Sequence, residues 1–301
     1  MTDHTPAVSV IVPTYNHAEL LRNAIASVLA QTESRFELLI VNNSSSDHTV
    51  DVVRSFDDRR IRLITVENGG VIAVSRNTGI REAVAPFVAF LDSDDVWRPA
   101  KLSKALARFE SEPDIGLVCH NEALRENGRV AGVLRYGPSG RDMERRLLSL
   151  GNCVSTSAVV VRRNLVVELG GFSERPDYVT AEDYDLWIRL ASRCRFAFIN
   201  EVLGEYVLHG VNMSGATGRH LAHQANVAAD HLARLGDRRL ARRVDGRFDY
   251  MHARALHQNG ALLACLPRYG RALIRNPALV LRSLARSVFK ESGRGIEVYA
   301  T

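Results

Sequence analysis

Short apolar runs rich in β-branched residues, separated by amphipathic or polar stretches, occupy residues 8–91, and this alternation most limits the folds open to the chain. The first run, residues 8–12 (VSVIV), is stopped by Pro13. Residues 18–30 (AELLRNAIASVLA) then set Leu21, Ile25, Val28 and Leu29 at helical spacing. Residues 36–41 (FELLIV), 61–66 and 87–91 (FVAFL) repeat the strand pattern, with helices predicted at about 49–55 and 71–84. Repeated β-α-β units favour a parallel sheet with helices on both faces. Ligands of such sheets sit beyond the carboxyl ends of the strands, so the polar clusters after these runs are where chemistry is to be sought.

Residues 98–150 read as a helix, a strand at 115–120 and a looser charged segment. A strand at 154–161 leads to a helix at about 164–169; residues 181–193 (AEDYDLWIRLASR) are helical and residues 196–207 extended. Beyond Met213 the chain becomes helix rich in Ala, Leu, Arg and His. Charge divides at the same place: residues 215–301 hold 15 Arg and Lys against six Asp and Glu, and the totals of 39 and 34 leave 24 against 28 in residues 1–214. The expected organisation is an α/β domain over 1–214 and a helical, basic extension over 215–301.

Composition removes several classes. At 46% hydrophobic and 24% charged the 301 residues suit a globular chain, not a fibrous or disordered one. No apolar run approaches the roughly 18–20 residues that a membrane-crossing helix needs. The opening residues lack a basic stretch followed by an apolar core, so no secretory signal is expected. Cys119, Cys153, Cys194 and Cys265 are scattered without a CxxC pair and read as reduced thiols of a cytoplasmic protein, not as a disulfide framework or zinc site.

The turn after the first strand, PTYNH at residues 13–17, lacks the glycines of a dinucleotide-binding turn, and no GxxxxGK occurs, which disfavours a Rossmann dehydrogenase or a P-loop ATPase. A nucleotidyltransferase on a similar fold would need a Gly-rich basic triphosphate loop near the start, and none is visible. The strongest local signal is FLDSDD at residues 90–95, three carboxylates just after an apolar strand. Such a cluster either caps the next helix as a solvated turn or binds a cation. Two carboxylates with diphosphate oxygens and water suit Mg²⁺ or Mn²⁺. Glu182, Asp183 and Asp185 open a helix, where the dipole alone favours negative charge. His209 could be a strand-end histidine bonded to backbone. Trp97 and Trp187 fit core packing better than sugar stacking, and Lys101 and Lys104 fit a solvated helix face better than a phosphate site.

Taken in order, PTYN, VNNSSSD, NGGVIAVSRNTGI, FVAFLDSDDVW, STSAVVVRRNLVVELGGF, AEDYDLWIRL and YVLHGVNMS resemble the segments of family 2 glycosyltransferases, over roughly residues 7–214. The resemblance implies the GT-A fold, a Rossmann-like, mostly parallel sheet with flanking helices. It also implies inverting transfer of a sugar from a nucleotide-diphosphate sugar to a glycan or lipid-linked acceptor. By the same resemblance Asp92, Ser93 and Asp94 match the DxD motif, Asp94 as metal ligand and Asp92 near metal or ribose. Asp183 matches the general base, with Glu182 and Trp187 on the acceptor side. His209 matches a metal or diphosphate contact; Pro13, Tyr15 and Asn43 match nucleobase turns, and Arg76 a basic group near base and diphosphate. Mn²⁺ or Mg²⁺ is the implied cofactor. Asn42 and Asn43 stand where relatives commonly carry aspartate. An asparagine can still accept from uracil N3–H, without the charge-assisted part of the bond, so UDP is expected before dTDP, and GDP last.

In the basic C-terminal stretch, Arg282, Arg286 and Lys290 recur at helical spacing beside Leu281, Leu284, Val288 and Phe289. Such a helix either meets an anionic membrane surface or packs its apolar face on the domain. Nucleic acid is not an expected partner, since no recognition motif accompanies the charge. The expected location is cytoplasmic, peripheral at the inner face of the cell membrane. The competing function is a catalytically silent sugar-nucleotide-binding module whose basic tail recruits a membrane or partner.

Overall fold

The structure, a computed structural model, describes residues 5–140, 142–209, 218–291 and 297–299, with side chains through residue 284. Strand and helix alternate as β1 (Val8–Thr14), α1 (Ala18–Leu29), β2 (Phe36–Asn42), α2 (Thr49–Arg54), β3 (Ile61–Thr65), α3 (Ile72–Glu82) and β4 (Phe87–Phe90). Then come β5 (Val96–Trp97), α4 (Lys101–Ser111), β6 (Ile115–Glu126), β7 (Arg129–Arg135), α5 (Met143–Leu150), β8 (Val159–Arg162), α6 (Arg163–Glu168), α7 (Glu182–Ala191) and β9 (Arg195–Leu208). The C-terminal part holds α8 (Gly218–Leu235), α9 (Arg238–Gln258), α10 (Leu262–Arg275), α11 (Pro277–Glu291) and β10 (Glu297–Tyr299).

One mixed sheet runs β10-β7-β6-β8-β4-β1-β2-β3, with β9 joining β6 to β5. Its first half is parallel, as the β-α-β alternation predicts: β1 pairs β2 and β4, and β2 pairs β3. Antiparallel β8 follows β4. The side-chain period of two divides the core between the faces. Val8, Val10, Val12, Leu38 and Ile40 pack under α1 and α4, whereas Ile11, Leu39, Val41, Val88 and Phe90 pack under α3, α5 and α7. Full burial of each such side chain contributes about 1.5–3 kcal/mol. With both faces covered, polar chemistry is confined to the strand ends.

Several local expectations give way. β1 continues through Pro13 to Thr14, because β4 pairs it only as far as Ile11 and no neighbour on that side calls for a donor at Pro13. The strand expected at 154–161 shrinks to β8, preceded by a single 3₁₀ turn, Thr156–Ala158, while the segment expected to be loose contains the β6–β7 hairpin and α5. Lys101, expected to be solvated, is fully buried over the Trp97 ring and donates to the Val159 carbonyl at 3.2 Å. Burial holds its pKa well below the usual lysine value.

The C-terminal helices begin as part of the same core. Val227 and Ala228 of α8 and Leu240 and Val244 of α9 join the cluster that covers α7. Arg247 of α9 is buried and donates to the Tyr184 hydroxyl at 2.9 Å. α10 and α11 break at Asn276–Pro277, where Asn276 ties the break to the Ser149 and Arg243 carbonyls. Outward from that seam Leu263 is 87% and Ile274 69% exposed, and Leu262, Leu266, Leu281 and Leu284 are exposed beside them. Arg286, Val288, Phe289 and Lys290 lie outside the residues whose side chains are described.

Candidate active site

The carboxyl ends of β1 and β4 and the start of α7 open onto a cavity of about 420 Å³ lined by Pro13, Arg76, Asp92, Ser93, Asp94, Glu182 and Asp183. Its position follows from the fold. α3 can lie close against β1 because Gly79 faces Ile11, where a Cβ would come within 2.4 Å of a side-chain carbon. That close approach delivers Arg76, one turn earlier on the same helix, to the end of β4. There Arg76 Nη2 donates to Asp92 Oδ1 at 2.8 Å and Nη1 to Glu182 Oε1 at 2.7 Å. Arg76 is 4% exposed, and the two carboxylates raise its pKa against the effect of burial.

The acidic turn divides its three carboxylates. Asp92 faces Arg76. Asp94 Oδ2 meets His209 Nε2 at 2.7 Å, and burial together with the Asp92 charge pushes the Asp94 carboxyl above its ordinary value. Asp95 turns inward, accepting from the Ser157 hydroxyl at 2.6 Å and from the Val207 amide at 3.1 Å, which ties the turn to the end of β9 that carries His209. Ser93 Oγ meets His17 Nδ1 at 3.0 Å. Among the described residues no three His, Cys, Asp or Glu side chains converge on one point. Asp94 and His209 meet there as a two-donor set, and such a set completed by ligand oxygens and water fits Mg²⁺ or Mn²⁺ better than a closed protein cage does.

The acidic start of α7 also divides by helix face. Asp183 Oδ2 accepts from the Thr156 hydroxyl at 3.2 Å and Oδ1 from the Tyr184 amide at 2.6 Å. Burial raises its pKa, with the Arg76 charge opposing. Burial likewise raises Glu182, again opposed by Arg76. Asp185 points away from the cavity, bound to Arg189 at 2.6 Å and His231 at 2.9 Å. Helix-dipole electrostatics alone, which treats the three alike, does not produce that separation.

Trp187, expected on the acceptor side, is fully buried against Phe172. Five residues after Glu182 it lies on the core face of α7, so its part is packing. Trp97 is likewise in the core, its Nε1 donating to the Ser157 carbonyl at 2.7 Å. Tyr15, 56% exposed, and Asn43 are not among the cavity's lining residues and sit on adjoining turns. Those turns are stitched together by Ser46 N–H to Asn16 Oδ1 at 2.8 Å and Asn43 N–H to Thr14 O at 2.9 Å. Asn43 Oδ1 already accepts from the Asn68 backbone amide at 2.8 Å, so a base reaching it meets a partly engaged oxygen. Of the quoted segment YVLHGVNMS, residues 210–214 lie outside the described residues.

His17, Tyr136, Asn152, Thr156, Thr180, His220 and Gln224 also line the cavity and were not legible as site residues. His17, Thr156 and Thr180 fall inside or beside quoted segments, which is the one available signal; the others carry none.

Known proteins resemble this chain in sequence and in fold. The sequence profile described as "Glycosyl transferase family 2" matches residues 9–169. A relative from Escherichia coli, UDP-Glc:alpha-D-GlcNAc-diphosphoundecaprenol beta-1,3-glucosyltransferase WfgD, is 32% identical over 227 residues, covering 75% of this chain and 86% of its own. Among solved structures, S. aureus TarS 1–349 in complex with UDP-GlcNAc superposes with a TM-score of 0.65 at 20% identity, over 88% of this chain and 79% of that one. The mannosyltransferase PcManGT from Pyrobaculum calidifontis, in complex with GDP-Man and Mn²⁺, does so with 0.56 at 23%, over 94% and 80%. These likenesses identify the mixed sheet and its flanking helices as the GT-A fold.

Proposed function

Because the chain belongs to glycosyl transferase family 2, we propose that it moves a sugar, with inversion, from a nucleotide-diphosphate sugar to a hydroxyl of a glycan or lipid-linked acceptor. The observation that carries this reading is that Asp94 and Asp183, 89 residues apart in the sequence, line one cavity, joined through the Asp92–Arg76–Glu182 bridge.

In this reading the donor's diphosphate lies at Asp94 and His209 and its nucleoside over the Pro13, Tyr15 and Asn43 turns, UDP being the first choice. Asp94 and His209 would hold a divalent ion, with Asp92 beside them; bound there, Mn²⁺ or Mg²⁺ neutralises charge on the diphosphate. Asp183 Oδ2 takes the proton of the acceptor hydroxyl. That oxygen forms the new bond to the anomeric carbon as the bond to the diphosphate oxygen breaks, and the nucleoside diphosphate leaves. A carboxyl raised by burial is a stronger base than a solvated one, which suits this task. Thr156 and the Tyr184 amide fix the carboxylate's orientation.

The helices from residue 218 onward extend the proposed donor-binding body, α8 and α9 sharing its core. The exposed leucines of α10 and α11, with Arg282 among them, support a membrane-facing role, and no described helix is long and apolar enough to cross a membrane. A cytoplasmic protein held at the inner membrane face would meet a lipid-linked acceptor there.

The test is UDP release from UDP-glucose and UDP-GlcNAc with Mn²⁺, with and without GlcNAc-, glucose- and galactose-headed diphosphoryl lipids. Acceptor-dependent release that is lost on chelation and in Asp94→Ala is expected. UDP binding with no release under any combination identifies a silent binding module instead.

A further inference from the structure

Thr180 is the one β-branched residue among the described residues with a left-handed backbone, at φ 72°. Such a conformation is unfavourable for threonine and persists where surrounding contacts impose it. Glycine would adopt it without strain, so turn geometry alone gives no reason for a threonine. What threonine adds is a hydroxyl, three residues before Asp183 and in the same cavity.

That hydroxyl is oriented from the C-terminal region. Gln224 Nε2 lies 2.9 Å from His220 Nε2, and His220 Nδ1 lies 3.1 Å from Thr180 Oγ1. An amide nitrogen only donates, so His220 Nε2 accepts and the proton of the neutral ring sits on Nδ1, facing Thr180. Burial lowers the His220 pKa, in keeping with a neutral ring. Thr180 Oγ1 then accepts from His220, which leaves its own proton to be donated within the cavity it lines. α8 grips the same segment elsewhere: His223 meets the Val179 carbonyl, and the Tyr178 hydroxyl donates to Asp230 at 2.7 Å.

We propose that Thr180, set by His220 and Gln224, is an acceptor subsite whose hydroxyl donates to an oxygen of the acceptor sugar neighbouring the one that Asp183 deprotonates. The proposal rests on the reading of Asp183 as the base. The ligand class it selects is a sugar bearing a hydrogen-bond-accepting oxygen next to the reacting hydroxyl, and α8 thereby takes part in acceptor choice.

The test uses the full chain with UDP-glucose, Mn²⁺ and the diphosphoryl-lipid panel, comparing Thr180→Gly, Thr180→Ser and His220→Phe. Thr180→Gly relieves the backbone while deleting the hydroxyl. It is expected to keep the wild-type melting temperature or exceed it, to leave the donor KM unchanged and to raise the acceptor KM about tenfold. Thr180→Ser is expected to restore the acceptor KM, and His220→Phe to raise it as Thr180→Gly does. An unchanged acceptor KM in Thr180→Gly overturns the subsite, as does equal impairment of the Gly and Ser variants, which would trace the effect to the backbone. Failure of the underlying reading looks different: Asp183→Asn then keeps its turnover whatever residue 180 is, or the wild type transfers to none of the lipids.

Discussion

Asp92 and Glu182 share one guanidinium: Arg76 donates to Asp92 at 2.8 Å and to Glu182 at 2.7 Å. The first carboxylate lies in the acidic turn that follows β4 and the second opens the helix that carries Asp183. The relative position of proposed donor and acceptor chemistry is thus set by an ion triad in which Arg76 and Glu182 are buried and Asp92 reaches the cavity, and removing Arg76 leaves the Glu182 charge uncompensated in the interior.

Arg76→Ala is expected to destabilise the fold by about 3–5 kcal/mol, because it leaves Glu182 buried without its partner. Arg76→Lys, with a single ammonium in place of a fork, is expected to hold one carboxylate and to lose most turnover while recovering part of the stability. Thermal melting alongside UDP release checks both. A wild-type melting temperature in Arg76→Ala would show that the bridge contributes nothing.

Asp183→Asn is expected to lower kcat by about 10²–10⁴-fold with donor affinity unchanged, since the amide cannot take the proton. For the wild type, activity requires the ionised carboxylate. Because burial raises its pKa, the acid limb of the rate profile should fall above the ordinary carboxylate range. Initial rates against pH at saturating donor read this directly, and a limb at the solvated-aspartate value counts against the assignment.

Glu122 on β6 is fully buried beneath the cavity, hydrogen-bonded by the Tyr136 hydroxyl at 2.7 Å, and burial pushes its pKa from 4.5 to about 7. The folded state therefore holds this proton more tightly than the unfolded one. Its contribution to stability is intact below pH about 4.5 and is lost as pH rises towards 7. Glu122→Gln removes the ionisation and should melt higher than wild type at pH 8, by on the order of 1–3 kcal/mol, the two converging at pH 4.5. Equal melting temperatures at pH 8 would mean that Glu122 ionises without cost.

Leu263→Glu with Ile274→Glu puts charge on the exposed apolar face of α10 without touching the Asn276 seam. In flotation with vesicles containing phosphatidylglycerol the wild type is expected to rise and the double variant to remain behind, with UDP release unaffected. Equal flotation of the two removes the membrane role.

Much of this protein is written locally. The alternating runs of β1, β2 and β4, the helix between β1 and β2 and the acidic turn at residues 92–95 could be read directly, because period-two burial and polar strand ends depend on near neighbours in the chain. The ordered segments likewise carried the family, and the acidic residues they single out, Asp94 and Asp183, line one cavity. Packing between distant segments decided the rest. Whether a residue of α7 meets the cavity, the core or a rear salt bridge depends on how the whole helix is rotated against the sheet, which sends Asp183, Trp187 and Asp185 three different ways. Lys101 is buried because a Trp ring and strand carbonyls happen to receive it, a contact no local pattern announces. Thr180, His220 and Gln224 meet only because α8 folds back over the start of α7. Hydrophobic periodicity specifies elements and faces, whereas which polar groups meet across an interface is settled by three-dimensional packing.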